Sequence, residues 1–363
     1  MDNTTKQYID KLGYQKWIDG IRGVAILFVI LYHLNLIPGG FLGVDVFFVL
    51  SGFLITTILI EEWTLNGTIN LFFFYLRRAL RLTPALVVTL LMGFFYSYFF
   101  CSTEQHQNYI SEMKVAACYF TNWCTIHLVL MPTLGHTWSL AVEEQFYIIW
   151  PVVLLLMLKF GFRSSQLIFV VCFGIIYSAI LRLFLFRYYY DPNPDFLYLL
   201  RLYMGLDTRA DALLVGCLIA LLLFYKIIPE SQKTIWIVRG VSLFSICLLC
   251  YLAFNFPLTY RRYYQGFFLI VSVAVGVIIV QLKIAPLSIQ TAILEFKPLV
   301  GLGKISYGLY LFHHPIMHWF GPNKMFIAIL LSLMVAITSY FIVEIPFLKL
   351  KNKLRPKKQV PVQ

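Results

Sequence analysis

The sequence predicts an all-α, polytopic integral membrane helix bundle of about ten transmembrane helices, and three observations predict it. Hydrophobic residues make up 60% of the 363-residue chain and charged residues only 13%, too few to cover a water-soluble surface of this size. Stretches of the roughly 20 apolar residues needed to cross a bilayer recur along the whole length. Lys and Arg gather in short clusters beside those stretches, as topology signals do, and not along a face interleaved with aromatics. The net charge of +12 therefore does not point to nucleic acid as a partner.

Hydropathy places spans near 21–37, 41–60, 84–100, 138–158, 166–186, 212–228, 235–256, 265–282, 299–320 and 325–345. The first run lacks a small-residue cleavage site and continues into the second, so it is read as a retained helix and not a signal peptide. Lys6, Lys11 and Lys16 precede span one, and Arg77, Arg78 and Arg81 fall between spans two and three. Lys349, Lys351, Lys353, Arg355, Lys357 and Lys358 close the chain. The positive-inside rule then expects both termini and that loop to be cytoplasmic, in a plasma or inner cell membrane. This gives a cytoplasmic segment 1–20, a transmembrane domain 21–346 and a basic tail 347–363.

The external segments are expected at 101–137, 187–211 and 257–264, with Arg261 and Arg262 departing from the charge rule. Within the first, 115–130 is apolar but short and carries Asn122 and His127, which reads as an interfacial or re-entrant piece. The seven cysteines, at 101, 118, 124, 172, 217, 247 and 250, lack zinc-site spacing. Cys101, Cys118 and Cys124 lie where a disulfide is chemically possible.

Ionisable groups at bilayer depth cost on the order of 2.5–3.5 kcal/mol each even on the milder scales, so their placement is informative. Arg22 and His33 are eleven residues apart on the first helix. They therefore lie within about 20° of one face and roughly 16 Å apart along the axis. A pathway-facing His33 can take a proton from a hydroxyl. The same spacing also suits an Arg22 that snorkels to headgroups and a His33 that bonds a neighbouring helix. Asp45, among Gly39, Gly40 and Gly43, either orients His33 or pairs with an Arg or Tyr. Arg78 and Arg81 share a helical face and suit phosphate oxygens, or anchor to anionic lipid. Thr83 and Pro84 are expected to start the next helix. In His136–Pro151, Glu143 shares a face with Ser139 and Tyr147; it can orient a histidine, bind hydroxyls or bond a neighbouring helix. Arg209 and Asp211 sit at the mouth of span six, Ser306, Tyr310, His313 and His314 on span nine, and Glu344 at the end of span ten. No ligand set at metal spacing surrounds His313, so no metal is proposed.

Six ordered blocks resemble the acyltransferase 3 family of membrane O-acyltransferases across nearly the whole chain. They are the Arg22–His33 helix, GFLGVDVFFVLSGFLIT, RRALRLTP, HTWSLAVEEQFY, TRADALLVG and ISYGLYLFHHP. The resemblance implies transfer of an acetyl or other acyl group from an acyl-CoA co-substrate, with no bound cofactor, to a hydroxyl of a carbohydrate, glycolipid or small acceptor. It implies essential roles for Arg22 and His33, with Arg78, Arg81 and Glu143 next. Three departures stand out. Many members append an esterase-like SGNH domain, and none follows span ten, so acceptor release is expected from the membrane domain or a separate partner. His314 stands where the family usually has Trp. The usual Glu-Arg-Pro ending reads Glu344, Ile345, Pro346.

On this reading acyl-CoA docks against Arg22, Arg78 and Arg81 on the cytoplasmic side. His33 acts as base or acyl carrier, oriented by Asp45 or Glu143. Ser306, Tyr310 and His313 contact the acceptor or the oxyanion. The rival readings are a proton-coupled secondary transporter that uses the same buried Arg, His, Asp and Glu groups, and a non-catalytic scaffold. The sequence does not reach the oligomeric state.

Overall fold

The computed structural model describes residues 15–127, 129, 131–188 and 196–354. The N-terminal lysines Lys6 and Lys11, the tail residues Arg355, Lys357 and Lys358, and the part of the second external segment at 189–195 lie outside the described residues.

The described chain is helical throughout. Its helices are α1 (Lys16–His33), α2 (Leu42–Asn66), α3 (Leu71–Phe100), α4 (Thr103–Ala117), α5 (Thr121–Ile126), α6 (Trp138–Lys159), α7 (Ser164–Tyr188) and α8 (Phe196–Met204). They continue as α9 (Leu206–Phe224), α10 (Gln232–Asn255), α11 (Phe267–Ile284), α12 (Ser288–Leu294), α13 (Lys297–Lys304), α14 (Ser306–Phe320), α15 (Met325–Ser339) and α16 (Ile345–Lys353). Seven stretches of helix are long and apolar enough to cross a membrane, among them α2, α3, α7, α10 and α11. Three further expected spans are helices that miss one criterion. Lys16, Asp19 and Arg22 on α1, and Asp207, Arg209 and Asp211 on α9, raise the charge, and α14 has only 15 residues. An all-α membrane bundle is what these helices form, with seven spans by length and composition where about ten were expected.

The outside of the bundle faces hydrocarbon. On α7, Phe169, Phe173, Ile176, Tyr177, Ile180 and Phe184 are exposed, and on α10 so are Trp236, Leu243, Phe244 and Phe254. In water such surfaces would be aggregation sites; in lipid they are the solvated face. The middle of the bundle is α9, packed against α2, α7 and α11. Its crossing with α2 is a backbone contact. A Cβ on Gly52 would sit 1.8 Å from the Leu213 carbonyl oxygen, and one on Gly216 would sit 2.0 Å from that of Val49. Helices in lipid gain from such close approach because there is no hydrophobic drive to hold them together.

Several expectations change. Arg77, Arg78 and Arg81 do not lie in a loop, and Pro84 does not start a helix. The single helix α3 begins at an Asn70 cap, whose side chain accepts from the Phe73 N–H at 3.1 Å, and runs through all four residues. Arg77 and Arg78 tolerate partial burial because carboxylates meet them: Arg77 pairs with Glu62 at 2.9 Å and Arg78 with the Glu143–Glu144 pair. Near Pro84 the Tyr307 hydroxyl donates to the Leu82 carbonyl at 3.0 Å, tying α14 to this stretch of α3. Span nine is broken at Ile305 into α13 and α14, and span ten contains a π-helical turn, Tyr340–Glu344. The 115–130 segment forms no additional span, as expected of an interfacial or re-entrant piece: its described residues fold as the end of α4 plus α5. It packs on protein, with the Asn122 amide donating to Gln145 and to the Met204 carbonyl, both at 3.3 Å. All seven cysteines are free, so the external disulfide is not formed.

Gly216→Ala should lower the unfolding midpoint in lipid nanodiscs by several degrees, corresponding to about 1–3 kcal/mol of overpacking. Gly240→Ala, where a Cβ meets nothing within 4 Å, should leave the midpoint unchanged or raise it. Equal midpoints for Gly216→Ala and wild type would remove the α2–α9 contact as the organising crossing.

Candidate active site

His33 is the last residue of α1. The helix stops there because the chain reverses through Asn35, which takes the left-handed conformation (φ 58°) that asparagine tolerates better than most residues. The His33 Nδ1 lies 2.8 Å from the Val29 carbonyl oxygen, one turn back. A carbonyl can only accept, so Nδ1 carries the proton and Nε2 holds a lone pair. The residue is half-buried and retains a path to its surroundings.

Two more imidazoles meet it, and a third packs behind them. The ring centroids of His313 and His314 on α14 lie 4.9 and 5.5 Å from that of His33. His136, in the 3₁₀ turn before α6, stacks on His314 at 4.8 Å and meets His313 at 5.5 Å. Each ring spends its N–H on a backbone carbonyl. His313 Nδ1 donates to Tyr310 at 2.7 Å, His314 Nδ1 to Thr133 at 3.0 Å and His136 Nε2 to Leu311 at 3.2 Å. The remaining nitrogens are therefore all acceptors, and His313 Nε2 and His136 Nδ1 are buried without a partner among the described residues. Tyr310 locks the group: its hydroxyl donates to the His136 carbonyl at 2.7 Å and accepts from Ser139 at 2.6 Å. The cage is a set of oriented neutral bases.

A charged layer lies about 10 Å further along α6, the helical rise from His136 to Glu143. Glu143 accepts from Ser51 at 2.7 Å and from Arg78 at 3.3 Å, and Glu144 accepts from Arg78 Nε at 2.8 Å. The Arg78 guanidinium also lies 3.1 Å from the centroid of the Tyr147 ring. Arg78 thus spends its Nε and Nη2 on the two glutamates, while its Nη1 has no hydrogen bond among the described residues. Arg22 makes one long contact, 3.4 Å to Asp19. Arg81 is exposed and has no hydrogen bond or ion pair among the described residues, although Arg22, Arg78 and Glu143 lie within its electrostatic reach. Among the described residues Arg22, Arg81 and the Nη1 of Arg78 are the cationic groups of this layer with capacity for an anionic ligand.

The expected roles sort accordingly. His33, Tyr310 and His313 come together. Ser306 stands about 10 Å from His313 along α14 and takes no part in the cage. Neither Asp45 nor Glu143 orients His33. Asp45 is 0% exposed and accepts from Arg209 at 2.6 Å, while that guanidinium lies 4.0 Å from the Phe268 ring centroid. Beside it Arg182 pairs with Asp211 at 2.7 Å. The physical reason is competition: a buried guanidinium needs a carboxylate more than a neutral imidazole does, and the Val29 carbonyl already orients the ring. The same pairings spend the charges a proton-coupled transporter would use. Ser139 was read only as a face-mate of Glu143, and His136 was given no role; the signal was present, since both lie in the HTWSLAVEEQFY block, but a histidine just before a span reads as an interface residue.

Comparisons with known proteins agree with this arrangement of blocks. A family model described as an acyltransferase domain matches residues 15–346. A peptidoglycan O-acetyltransferase of Listeria monocytogenes is 38% identical over 321 residues, covering 84% of this chain and 49% of that protein. An O-acetyltransferase of Staphylococcus aureus strain NCTC 8325 is 33% identical over 363 residues, covering 93% of this chain and 57% of its own. A putative O-acetyltransferase of strain MSSA476 is 33% identical and covers 96% of this chain and 60% of its own. The chain thus spans about half to three fifths of the length of the curated relatives it matches. No solved structure matches it.

Removing one partner of the buried pair should be far worse than removing both. Asp45→Leu and Arg209→Met alone should each cost roughly 3–5 kcal/mol, and the double variant should recover most of it. Thermal unfolding of the four proteins in nanodiscs checks this, and additive losses would show that the pair is not coupled.

Proposed function

This chain belongs to the acyltransferase family, and on that premise we propose that it is a membrane O-acetyltransferase that moves an acyl group from acyl-CoA, entering from the cytoplasm, to a hydroxyl of a cell-envelope glycan. Peptidoglycan, the acceptor in the name of the Listeria relative, is the acceptor proposed. The single observation that carries the reading is His33: an imidazole with its Nε2 lone pair free, at the far end of the helix that carries Arg22.

Acyl-CoA phosphates would sit against Arg22 and Arg81, with the pantetheine arm running along α1 over the roughly 16 Å to His33. The acceptor hydroxyl enters from the opposite side and gives its proton to His33 Nε2 as its oxygen attacks the thioester carbonyl. The C–S bond then breaks, the acyl group stays on the acceptor oxygen, and the imidazolium returns the proton to the departing thiolate. The Val29 carbonyl holds the ring in the tautomer this sequence needs. Both termini are placed on the cytoplasmic side in this reading.

Thiol release from radiolabelled acetyl-CoA by purified protein in nanodiscs, with glycan acceptor present, tests it. His33→Ala should lower kcat at least about 100-fold, and Arg81→Ala should raise KM for the donor about tenfold with kcat nearly unchanged. Full activity in a folded His33→Ala protein would refute the assignment.

A further inference from the structure

The histidine cage is held from outside the spans. Helix α4 starts at a capping box: the Ser102 side chain accepts from the Gln105 N–H at 3.3 Å, and the Gln105 side chain accepts in return from the Ser102 N–H at 3.0 Å. It is fastened to α3 by Tyr109, whose phenol donates to the Leu90 carbonyl at 3.1 Å and fills the space over Gly93. A small core of Ala85, Leu86, Leu90, Met131, Leu134 and Leu311 joins α3, α4, the 131–134 turn and α14. In that core sits Glu112, 5% exposed. One of its oxygens, Oε2, accepts from the backbone N–H groups of both Thr133, at 3.0 Å, and Leu134, at 2.7 Å.

Those two residues carry the cage. The Thr133 carbonyl is the acceptor that fixes His314. Leu134 leads into the turn that bears His136, and its carbonyl accepts from the Thr137 hydroxyl at 2.7 Å. We propose that Glu112 is a positioning residue for acyl transfer: it fixes the 133–134 backbone so that His136 backs His314 and His314 holds His33 in place, an inference that rests on the role of His33 proposed above. Both N–H groups meet a single oxygen, so the bonds do not require the anion. Glutamine, with its amide oxygen at the same place, should keep them, and methionine, of similar volume but without the acceptor, should not.

Burial pushes the Glu112 carboxyl up to about 7, opposed by the Leu134 and Thr133 N–H groups. Tyr109 is the titratable neighbour that shares its field, and no charged side chain contributes to its ionisation. Because the folded value exceeds that of the free acid, the stability Glu112 contributes is complete below about 4.5 and is lost as pH rises through about 7. Glu112→Gln should therefore melt like wild type near pH 5 and above it at pH 8.

The test measures three things in nanodiscs: kcat and KM for acetyl-CoA from thiol release, and the rate at which diethyl pyrocarbonate modifies His314, read by mass spectrometry. For Glu112→Met we expect His314 modification several-fold faster, kcat down about tenfold and donor KM within twofold, because the donor cations lie at the other end of α1. Glu112→Gln should match wild type in all three. Wild-type labelling in Glu112→Met, faster labelling with unchanged kcat, or a fall in Glu112→Gln equal to that in Glu112→Met would each overturn the proposal. Labelling reads the turn without catalysis, and His33→Ala reads the base without the turn. Failure of the wider reading, with thiol release surviving His33→Ala, is therefore told apart from failure of this one.

Discussion

Two ion pairs that water cannot reach set the geometry of this bundle. Asp45 with Arg209, and Arg182 with Asp211, all 0% exposed, tie α2 to α9 and α9 to α7. Once four charges are buried, any slip of these helices leaves one unpaired at a cost of several kcal/mol. The backbone contact at Gly52 and Gly216 sets the distance between α2 and α9, and the pairs set their register. The proposed site follows from that register. Ser51, beside Gly52, holds Glu143, and Glu143 with Glu144 holds Arg78. The start of α2 closes the turn that ends α1 at His33.

The way His33 is oriented fits its surroundings. In Ser-His-Asp sites a carboxylate fixes the base histidine. In a membrane interior a carboxylate facing a neutral imidazole would itself lack a counter-charge, and here Asp45 and Glu143 have taken arginines. A carbonyl of the same helix fixes the tautomer with no net charge. The other three rings are fixed by carbonyls too, so none of the four rings hydrogen-bonds a carboxylate among the described residues.

Much of this was legible in the sequence, in proportion to how local the signal is. Apolar runs of spanning length gave the class, and the eleven-residue interval gave Arg22 and His33 a common face. The 3.6-residue period also paired Glu143 with Tyr147, which meet in the same charged layer. Partners were less legible, because a pairing between distant residues leaves no local trace. Asp45 lies near His33 in sequence, yet its partner is 164 positions away. The Arg78 pairing with Glu143 and Glu144 likewise joins α3 to α6. Pro84 misled because proline favours a helix start but does not require one: α3 already begins at the Asn70 cap and carries Pro84 in its interior. His136 went unnoticed because what gives it a role is the α14 packing, not its own surroundings in the chain.

The central claim is that one helix joins a donor site at its start to a base at its end, with the acceptor arriving from the other side. Sealed proteoliposomes of one orientation, with acetyl-CoA confined to the face of Arg22 and Arg81 and a glycan acceptor confined to the opposite face, test it most directly. The account predicts free thiol on the first side and acetylated glycan on the second, both abolished by His33→Ala. Acetylation only when donor and acceptor share a compartment would contradict it.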